Sequence, residues 1–210
     1  MLPAKADPDA QARYLVEELE PRLVQARAGQ RAVFFVDAAH FVLAPFLGFL
    51  WSVTRIFLRA PAGRQRFHVL GALNAITHEL LTVTNDTYIT ATEVCALLRQ
   101  LAALNLDVPL TVVLDNARYQ RCAQVITLAA SLHIELCFLP PYSPNLNLIE
   151  RLWKFVKKQC LYSPSYADFT AFKTAIVQGL AQTHTTQRTA LDSLLTLRFQ
   201  LFAKAQFVPA

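Results

Sequence analysis

Paired cysteines are absent from this sequence, although it contains four cysteines. They stand apart from one another, without a C-x-x-C pair or a histidine at zinc-finger spacing: Cys95, Cys122, Cys137 and Cys160. This pattern argues against a zinc finger and predicts reduced core thiols in a cytosolic protein. Residues 1–7 also lack the basic and then apolar order of a signal peptide, so we do not expect export.

A membrane-length apolar run is missing as well. The most apolar window spans residues 32–51, and it is interrupted by Asp37, His40, Pro45 and Gly48. These residues favour a strand, a turn and a second strand over a membrane span, so no membrane partner is predicted.

Internal repeats, low-complexity stretches and a convincing linker are absent too. The chain has 210 residues, of which 54% are hydrophobic, and this is ample for the core of one fairly large domain. We therefore predict a single domain over residues 1–210, with its core at about 30–160 and C-terminal helices at 161–210.

The charge that is present is mildly basic. A net charge of +5 gives by itself only a weak preference for polyanions. Two basic clusters stand out, one around the turn at 61–63 and one directly after Glu150: Arg55, Arg59, Arg64 and Arg66, then Arg151, Lys154, Lys157 and Lys158. Either cluster can be an ordinary solvated face, but the second adjoins an acid with a candidate role.

The order of predicted elements indicates a fold class. Strands are expected at 31–38, 55–60, 67–75, 79–84, 110–114 and 134–139, and helices at 8–28, 90–105, 116–130 and from about 145 onward. Thr90 and Glu93 form a capping-box pattern, and three prolines stiffen the loop at 140–144. We predict an α/β fold with a ribonuclease H-like mixed sheet, three antiparallel strands plus two parallel, flanked by helices.

Three carboxylates occupy settings that favour a shared role. Asp37 and Asp115 each end an apolar run, while Glu150 lies near the start of a helix. Acids at the carboxyl ends of buried strands emerge where open α/β sheets bind ligands. Asp115 could instead serve a turn or a helix cap, and Glu150 could simply favour the helix dipole. Asp37 is harder to explain structurally, because a buried unpaired carboxylate is costly, and a metal or an arginine must compensate it.

The segment from Pro140 to Trp153, preceded by residues 114–117, resembles the catalytic domain of DDE transposases in the mariner-like superfamily, in its bacterial insertion-sequence branch. The 34 residues between Asp115 and Glu150 match that family's spacing. The resemblance implies two divalent cations, Mg²⁺ or Mn²⁺, held by Asp37, Asp115 and Glu150 as catalytic and metal-binding residues. It also implies cleavage of DNA at the ends of an insertion element, followed by strand transfer.

Residues close to the three acids in the sequence are candidate DNA contacts. Glu150, Trp153, Lys154 and Lys157 are spaced to share one helix face, which suits a metal beside a phosphate backbone. The candidate DNA-binding residues are Asn116, Arg118, Tyr142, Arg151, Trp153, Lys154, Lys157 and Lys158. A tryptophan at such a position is more often a core residue, which is the alternative for Trp153. We expect His40 to be a hydrogen-bonded structural histidine, with orientation of a ligand or contact with DNA as the alternative.

Two departures from the family pattern bear on function. Ala38, Ala39 and His40 follow Asp37 where a polar residue is usual, and a helix-turn-helix region does not precede the first strand. We therefore expect double-stranded DNA, both element ends and target, and a homodimer or larger assembly as partners. A separate N-terminal DNA-binding polypeptide and a place in the bacterial cytoplasm, associated with the nucleoid, are further expectations. The alternatives are a non-catalytic DNA-binding or assembly module derived from a transposase, and another ribonuclease H-like nuclease.

Overall fold

The computed structural model describes residues 6–43, 65–161, 166–183 and 185–201. Five strands form one sheet in the order β3-β2-β1-β4-β5. Their bounds are β1 Ala32–Leu43, β2 Gln65–Asn74, β3 Leu80–Asn85, β4 Leu110–Leu114 and β5 Ile134–Phe138. The β1–β2 and β2–β3 pairs are antiparallel, while β1–β4 and β4–β5 are parallel. The predicted mixed sheet of three antiparallel and two parallel strands is therefore confirmed.

Helices cover both faces of the sheet. Their bounds are α1 Pro8–Tyr14, α2 Glu20–Arg27, α3 Ala91–Ala102, α4 Ala123–Ser131, α5 Ile149–Leu161, α6 Phe169–Gln182 and α7 Arg188–Leu194. A π-helical segment, Leu15–Leu19, joins α1 to α2, and a short 3-10 turn, Pro144–Leu146, precedes α5. None of the helices in the described ranges is both long and apolar enough to cross a membrane.

Alternation along β1 divides the interior into two cores. Phe35 and Phe41 face the core that includes Trp153 of α5 and Ile176 of α6. Phe34 and its even-numbered neighbours face the second core, which is built on α3 and α4. Because successive side chains of a strand point to opposite faces, residue parity on β1 decides which helices a side chain meets. Asp37 therefore points toward α5.

The first strand is longer than the sequence indicates. We expected it to end near Asp37, but β1 continues to Leu43 because Ala38–Leu43 pairs with Leu70–Gln65 of β2. Asp37 consequently lies within a strand, because the residues directly before it and after it are paired with β2. The strand predicted at 55–60 and the turn at 61–63 lie outside the described residues.

Two predicted helix starts are also corrected. The helix after Asp115 begins at Ala123 and not at Asn116, because Ala117 N donates to Asp115 Oδ1 at 3.0 Å and sets a turn first. The helix that carries Glu150 begins at Ile149, so Glu150 is its second residue. Its carboxylate consequently lies at the positive end of the helix dipole.

The helix predicted from its capping box is confirmed. Thr90 N and Thr90 Oγ1 both donate to Glu93 Oε2, at 2.7 and 2.6 Å, and Thr92 N donates to Thr90 Oγ1. This reciprocal pattern satisfies backbone donors that the first turn leaves without intrahelical partners. The helix ends at Ala102, before the predicted Asn105, whose φ of 48° is incompatible with helix.

Candidate active site

Three acids from three elements line one cavity. Asp37 lies within β1, Asp115 directly follows β4, and Glu150 is near the start of α5. They border a cavity of about 230 Å³, and residues 139–144 form another part of its wall. The structure thus brings together the three acids that the sequence predicts as catalytic.

The parallel register of β1 and β4 explains why the two aspartates meet. Phe35 of β1 is paired with Val113 of β4, so Asp37 and Asp115 each lie two residues further along their strands. A spacing of two residues returns a side chain to the same face of a strand. Ile149 and Trp153 of α5 pack on that face, which places Glu150 beside the aspartates.

The electrostatics of this cavity are unfavourable for three negative charges. Burial, together with the charges of Glu150 and Asp115, raises the pKa of Asp37 to about 7, although a hydrogen bond from the Ala38 amide and the charge of Lys157 lower it. The three acids thus bring more negative charge together in a half-buried site than Lys157 and the Ala38 amide offset. A bound divalent cation would relieve this repulsion.

The donor set fits a hard divalent cation, but the side chains are not arranged around one. Three carboxylates offer only oxygen ligands, which suit Mg²⁺ or Mn²⁺. Within the part of the chain that the structure describes, three or more His, Cys, Asp or Glu side chains do not form a group close enough to hold a metal ion. The three acids nevertheless line the same cavity.

Asn116 links the ends of β4 and β5. Its Nδ2 donates to the carbonyl oxygen of Leu139, and Arg121 Nη1 donates to its Oδ1 at 2.9 Å. The Arg121 guanidinium also lies over the ring of Phe138, 5.0 Å from its centre. The Asn116 amide is thus occupied within the chain, which favours a role in holding the cavity wall over the predicted DNA contact.

The proline-rich wall is anchored by residues that the sequence analysis did not single out. Gln11 of α1 donates from Nε2 to the Tyr142 carbonyl at 3.4 Å, and its Oε1 accepts from Asn145 Nδ2 at 3.0 Å. Asn145 Nδ2 also reaches the carbonyl of Gln200 at 2.9 Å. Gln11 is buried, and a glutamine inside the apolar stripe of an N-terminal helix was the available signal.

Several predicted DNA contacts lie on the surface. Arg118, Tyr142, Lys154 and Lys158 are exposed. Lys157 is half-buried, with its ammonium 5.9 Å from the centre of the Phe41 ring, and its charge acts on Asp37. These residues can meet a polyanion outside the cavity.

Trp153 contradicts its predicted role in contacting DNA. Its side chain is 1% exposed and its ring meets Phe41 edge-on, with the ring centres 6.5 Å apart. A Cβ atom placed on Gly71 would approach the indole to 2.8 Å, so the ring lies flush against β2. An indole enclosed in this way cannot stack on a base. We expected Trp153 and Lys154 to share one helix face, but Trp153 lies in the core and Lys154 is exposed to solvent.

Arg151 is also corrected from a DNA contact to an intramolecular one. Its Nη1 donates to the carbonyl of Thr196 and its Nη2 to that of Arg198, each at 2.6 Å. Its guanidinium lies 5.7 Å from the centre of the Phe199 ring. The terminal nitrogens of Arg151 thus bind backbone carbonyls of the C-terminal segment, residues 194–200.

His40 takes the structural role. Its Nδ1 lies 2.6 Å from Nδ1 of His68, the residue paired with it across β1 and β2. His40 has the opposite parity to Asp37, so the two side chains lie on different faces of the sheet. His40 therefore does not orient a ligand at the acid cluster.

The fold and the sequence of this chain are both similar to those of known proteins. The strand order, the strand directions and the flanking helices define a ribonuclease H-like fold. The sequence profile of the DDE superfamily endonuclease family matches residues 22–173, which is more than half of the chain. The chain therefore belongs to the DDE superfamily endonuclease family, and the predicted resemblance to DDE enzymes is confirmed at the level of that superfamily.

Solved structures of the Mos1 transposase share the fold. The pre-cleavage Mos1 transpososome matches with a TM-score of 0.56 and 11% identity, over 95% of this chain and 66% of that chain. The Mos1 mariner paired-end complex with Mn matches with a TM-score of 0.53 and 13% identity, over the same shares. The chain thus spans no more than 66% of the length of these Mos1 chains. Proteins with curated functions yield no sequence match.

Proposed function

We propose that this chain is the catalytic domain of a DDE transposase that cleaves DNA at the ends of an insertion element and transfers the strands to a target. The observation that carries the proposal is the shared cavity of Asp37, Asp115 and Glu150, which three separate elements supply. We also propose that residues 1–210 form one domain and that the element belongs to the bacterial insertion-sequence branch.

The three acids would hold two divalent cations, Mg²⁺ or Mn²⁺. Asp37 would share this role with both other acids, because the charges of Glu150 and Asp115 both act on its carboxyl group. When bound, such a pair of cations supplies activation of water or a 3′-hydroxyl and stabilisation of the leaving oxygen. The Mos1 paired-end complex solved with Mn supports this choice of metal. The chain's own part is to hold the acids on rigid elements and to keep the proline-rich wall beside them.

Double-stranded DNA is the proposed substrate. Exposed Arg118, Lys154 and Lys158, with half-buried Lys157 nearer the acids, would follow the phosphate backbone. Contacts of this kind give salt-sensitive affinity with little reading of sequence. Tyr142, exposed at the tip of the cavity wall, is the proposed contact nearest the reacting phosphate.

A larger assembly is proposed because two element ends must be brought together. The Mos1 structures are a transpososome and paired-end complexes. By this analogy the chain acts as a homodimer or larger assembly, with a separate N-terminal DNA-binding polypeptide as a candidate source of sequence recognition. We propose that it works in the bacterial cytoplasm, at the nucleoid.

The test is cleavage and strand transfer of labelled element-end DNA with Mg²⁺ or Mn²⁺. Asp115→Asn should reduce cleavage more than about a hundredfold, because removing a direct ligand exceeds the effect of outer-shell changes. Asp107→Asn makes the same chemical change at an exposed residue outside the cavity and should leave the rate unchanged. The product of the neighbouring upstream reading frame is added in one arm, and dependence on it would locate DNA recognition there.

A second candidate is a DNA-binding or assembly module without chemistry. The observation in its favour is the lack of a preformed three-residue metal group among the described residues. Metal-independent DNA binding with no cleavage in any arm would support it. Cleavage of structured or hybrid substrates without any preference for element ends would instead support another ribonuclease H-like nuclease.

A further inference from the structure

Asn147 connects the strand of the first acid to the helix of the third. Its Nδ2 donates to the carbonyl oxygen of Val36, which precedes Asp37, at 3.2 Å. Its own carbonyl accepts from the backbone N–H of Glu150 at 3.2 Å. The side chain is 4% exposed and borders the acid-lined cavity. Asn147 therefore binds the backbone of the residue before Asp37 and also the backbone of Glu150.

The orientation of the Asn147 amide is fixed by chemistry. The Val36 carbonyl can only accept a hydrogen bond, so the amide must present its NH₂ group to it. The oxygen is then directed away from Val36. Asn147 Oδ1 is buried and has no hydrogen-bond partner among the residues that the structure describes. A buried amide oxygen without a partner is costly, which points to a ligand that is bound when the site works.

We propose that Asn147 is a positioning residue that sets the spacing of Asp37 and Glu150, and that its Oδ1 is a neutral oxygen donor to the divalent cation held by the acids. This inference rests on the proposed function. Amide carbonyls are ordinary ligands of hard cations in proteins. The neutral amide suits this site, because a fourth carboxylate would add to the repulsion already felt by Asp37.

The amide also serves a purpose that an acid could not. An aspartate at position 147 would place a carboxylate oxygen against the Val36 carbonyl, and the link to β1 would be lost. The Asn147→Asp variant therefore keeps an oxygen donor and removes the positioning hydrogen bond. Asn147→Ala removes both, so the pair of variants separates the two parts of the proposal.

The experiment is Mn²⁺ binding to the purified chain, followed by the electron paramagnetic resonance signal of free Mn²⁺. Asn147→Ala should weaken Mn²⁺ binding by about tenfold or more, and Asn147→Asp should lie between it and the natural chain. The control is Ile176→Val, a buried change on α6 that lowers stability without touching the cavity, and its Mn²⁺ affinity should be unchanged. Free energies of unfolding measured beside these affinities separate a metal effect from a general loss of stability.

The outcomes distinguish this inference from the proposed function. Unchanged Mn²⁺ affinity in Asn147→Ala, while Asp115→Asn abolishes binding, would overturn the role of Asn147 and leave the proposed function intact. Asn147→Asp binding as weakly as Asn147→Ala would overturn the oxygen-donor role. Unchanged binding in Asp115→Asn would instead count against the proposed metal site itself.

Discussion

Gly71 is the residue that lets α5 lie directly on the sheet. A Cβ atom at this position would lie 2.8 Å from the Trp153 ring and 3.0 Å from the Ile149 side chain. A rigid indole cannot move aside as a flexible side chain would. Trp153 is three residues from Glu150 on the same helix, so the close approach at Gly71 also sets the height of Glu150 above Asp37.

We expect Gly71→Ala to lower the free energy of unfolding by about 1–3 kcal/mol, because overpacking displaces α5 from the sheet. Mn²⁺ affinity should fall as well, since Glu150 moves with the helix. Denaturant unfolding and Mn²⁺ titration measure the two effects. Adding Trp153→Phe to Gly71→Ala should recover part of both losses, because the smaller ring makes room. If the double variant is no better than Gly71→Ala alone, the close contact is not what sets the helix position.

Individual residues also show where sequence reasoning reaches the site and where it does not. Asp37 and Asp115 could be predicted because an acid ending a buried apolar run has few structural explanations. Asn147 could not, because its partner, the Val36 carbonyl, lies 111 positions away along the chain. Gln11 offered only the signal of a glutamine inside a predicted apolar stripe, and its partner Tyr142 lies 131 positions away. Trp153 was misjudged because helical spacing places residues on a face without saying which face meets the sheet.

An ion-pair network connects α2 to the edge of the sheet. Glu135 of β5 accepts from Arg22 Nη2 and Arg31 Nη1, each at 2.6 Å, and from Thr111 Oγ1 of β4 at 2.6 Å. The network connects the helix before β1 to the parallel half of the sheet. Hydrogen bonds from Arg22, together with Thr111 and the charge of Arg31, lower the pKa of Glu135 from 4.5 to about 2.

The direction of this shift predicts a dependence of stability on pH. A carboxyl group whose pKa is lowered in the folded chain stabilises the fold fully above its ordinary pKa of 4.5, and this contribution is lost as pH falls toward about 2. We expect Glu135→Gln to lower the free energy of unfolding at pH 7 by about 1 kcal/mol, given that the site is partly exposed. The difference between Glu135→Gln and the natural chain should shrink between pH 4.5 and 2.

Glu20→Gln is the matched control, because it breaks an exposed ion pair with Arg27 on the same helix. Such a pair contributes less than about 0.5 kcal/mol, so its removal should scarcely change the unfolding curve. A Glu135→Gln variant with the stability and acid dependence of Glu20→Gln would contradict the assignment of the network.

Strands and helices could be predicted where the signals for them are local in the sequence. The strands β4 and β5 and the helix α3 follow from local signals, namely buried apolar runs and the capping box of Thr90. The length of β1 could not be predicted from local signals, because the residues beyond Asp37 remain in a strand only by pairing with β2. The late start of α4 likewise follows from the Asp115 turn and the Asn116 link to Leu139, which no helix propensity reveals.

The two ends of the described chain meet at the proline-rich wall of the acid-lined cavity. Asn145 contacts Gln11 near the beginning and Gln200 near the end. Phe199 packs on Phe35 of β1 with ring centres 6.0 Å apart. The C-terminal segment, whose role the sequence left open, thus supports the loop beside the acids.

Arg151 is the main attachment of that segment, and its removal gives a prediction that separates folding from DNA binding. Arg151→Met keeps most of the side chain's bulk but loses its hydrogen bonds to the carbonyls of Thr196 and Arg198. We expect a loss of about 2 kcal/mol in the free energy of unfolding and faster proteolysis within residues 194–200. The dependence of DNA affinity on salt should keep its slope, because Arg151 contacts no phosphate in this arrangement.

Lys154→Met makes the complementary change on the same helix. Lys154 is exposed, so its loss should leave stability unchanged and should lower the salt slope of DNA binding by about one phosphate contact. Finding the reverse, with Arg151→Met reducing the salt slope and leaving stability intact, would restore Arg151 as a DNA contact. It would mean that the C-terminal segment moves off α5 when DNA binds, since one guanidinium cannot hold these carbonyls and a phosphate with the same donors.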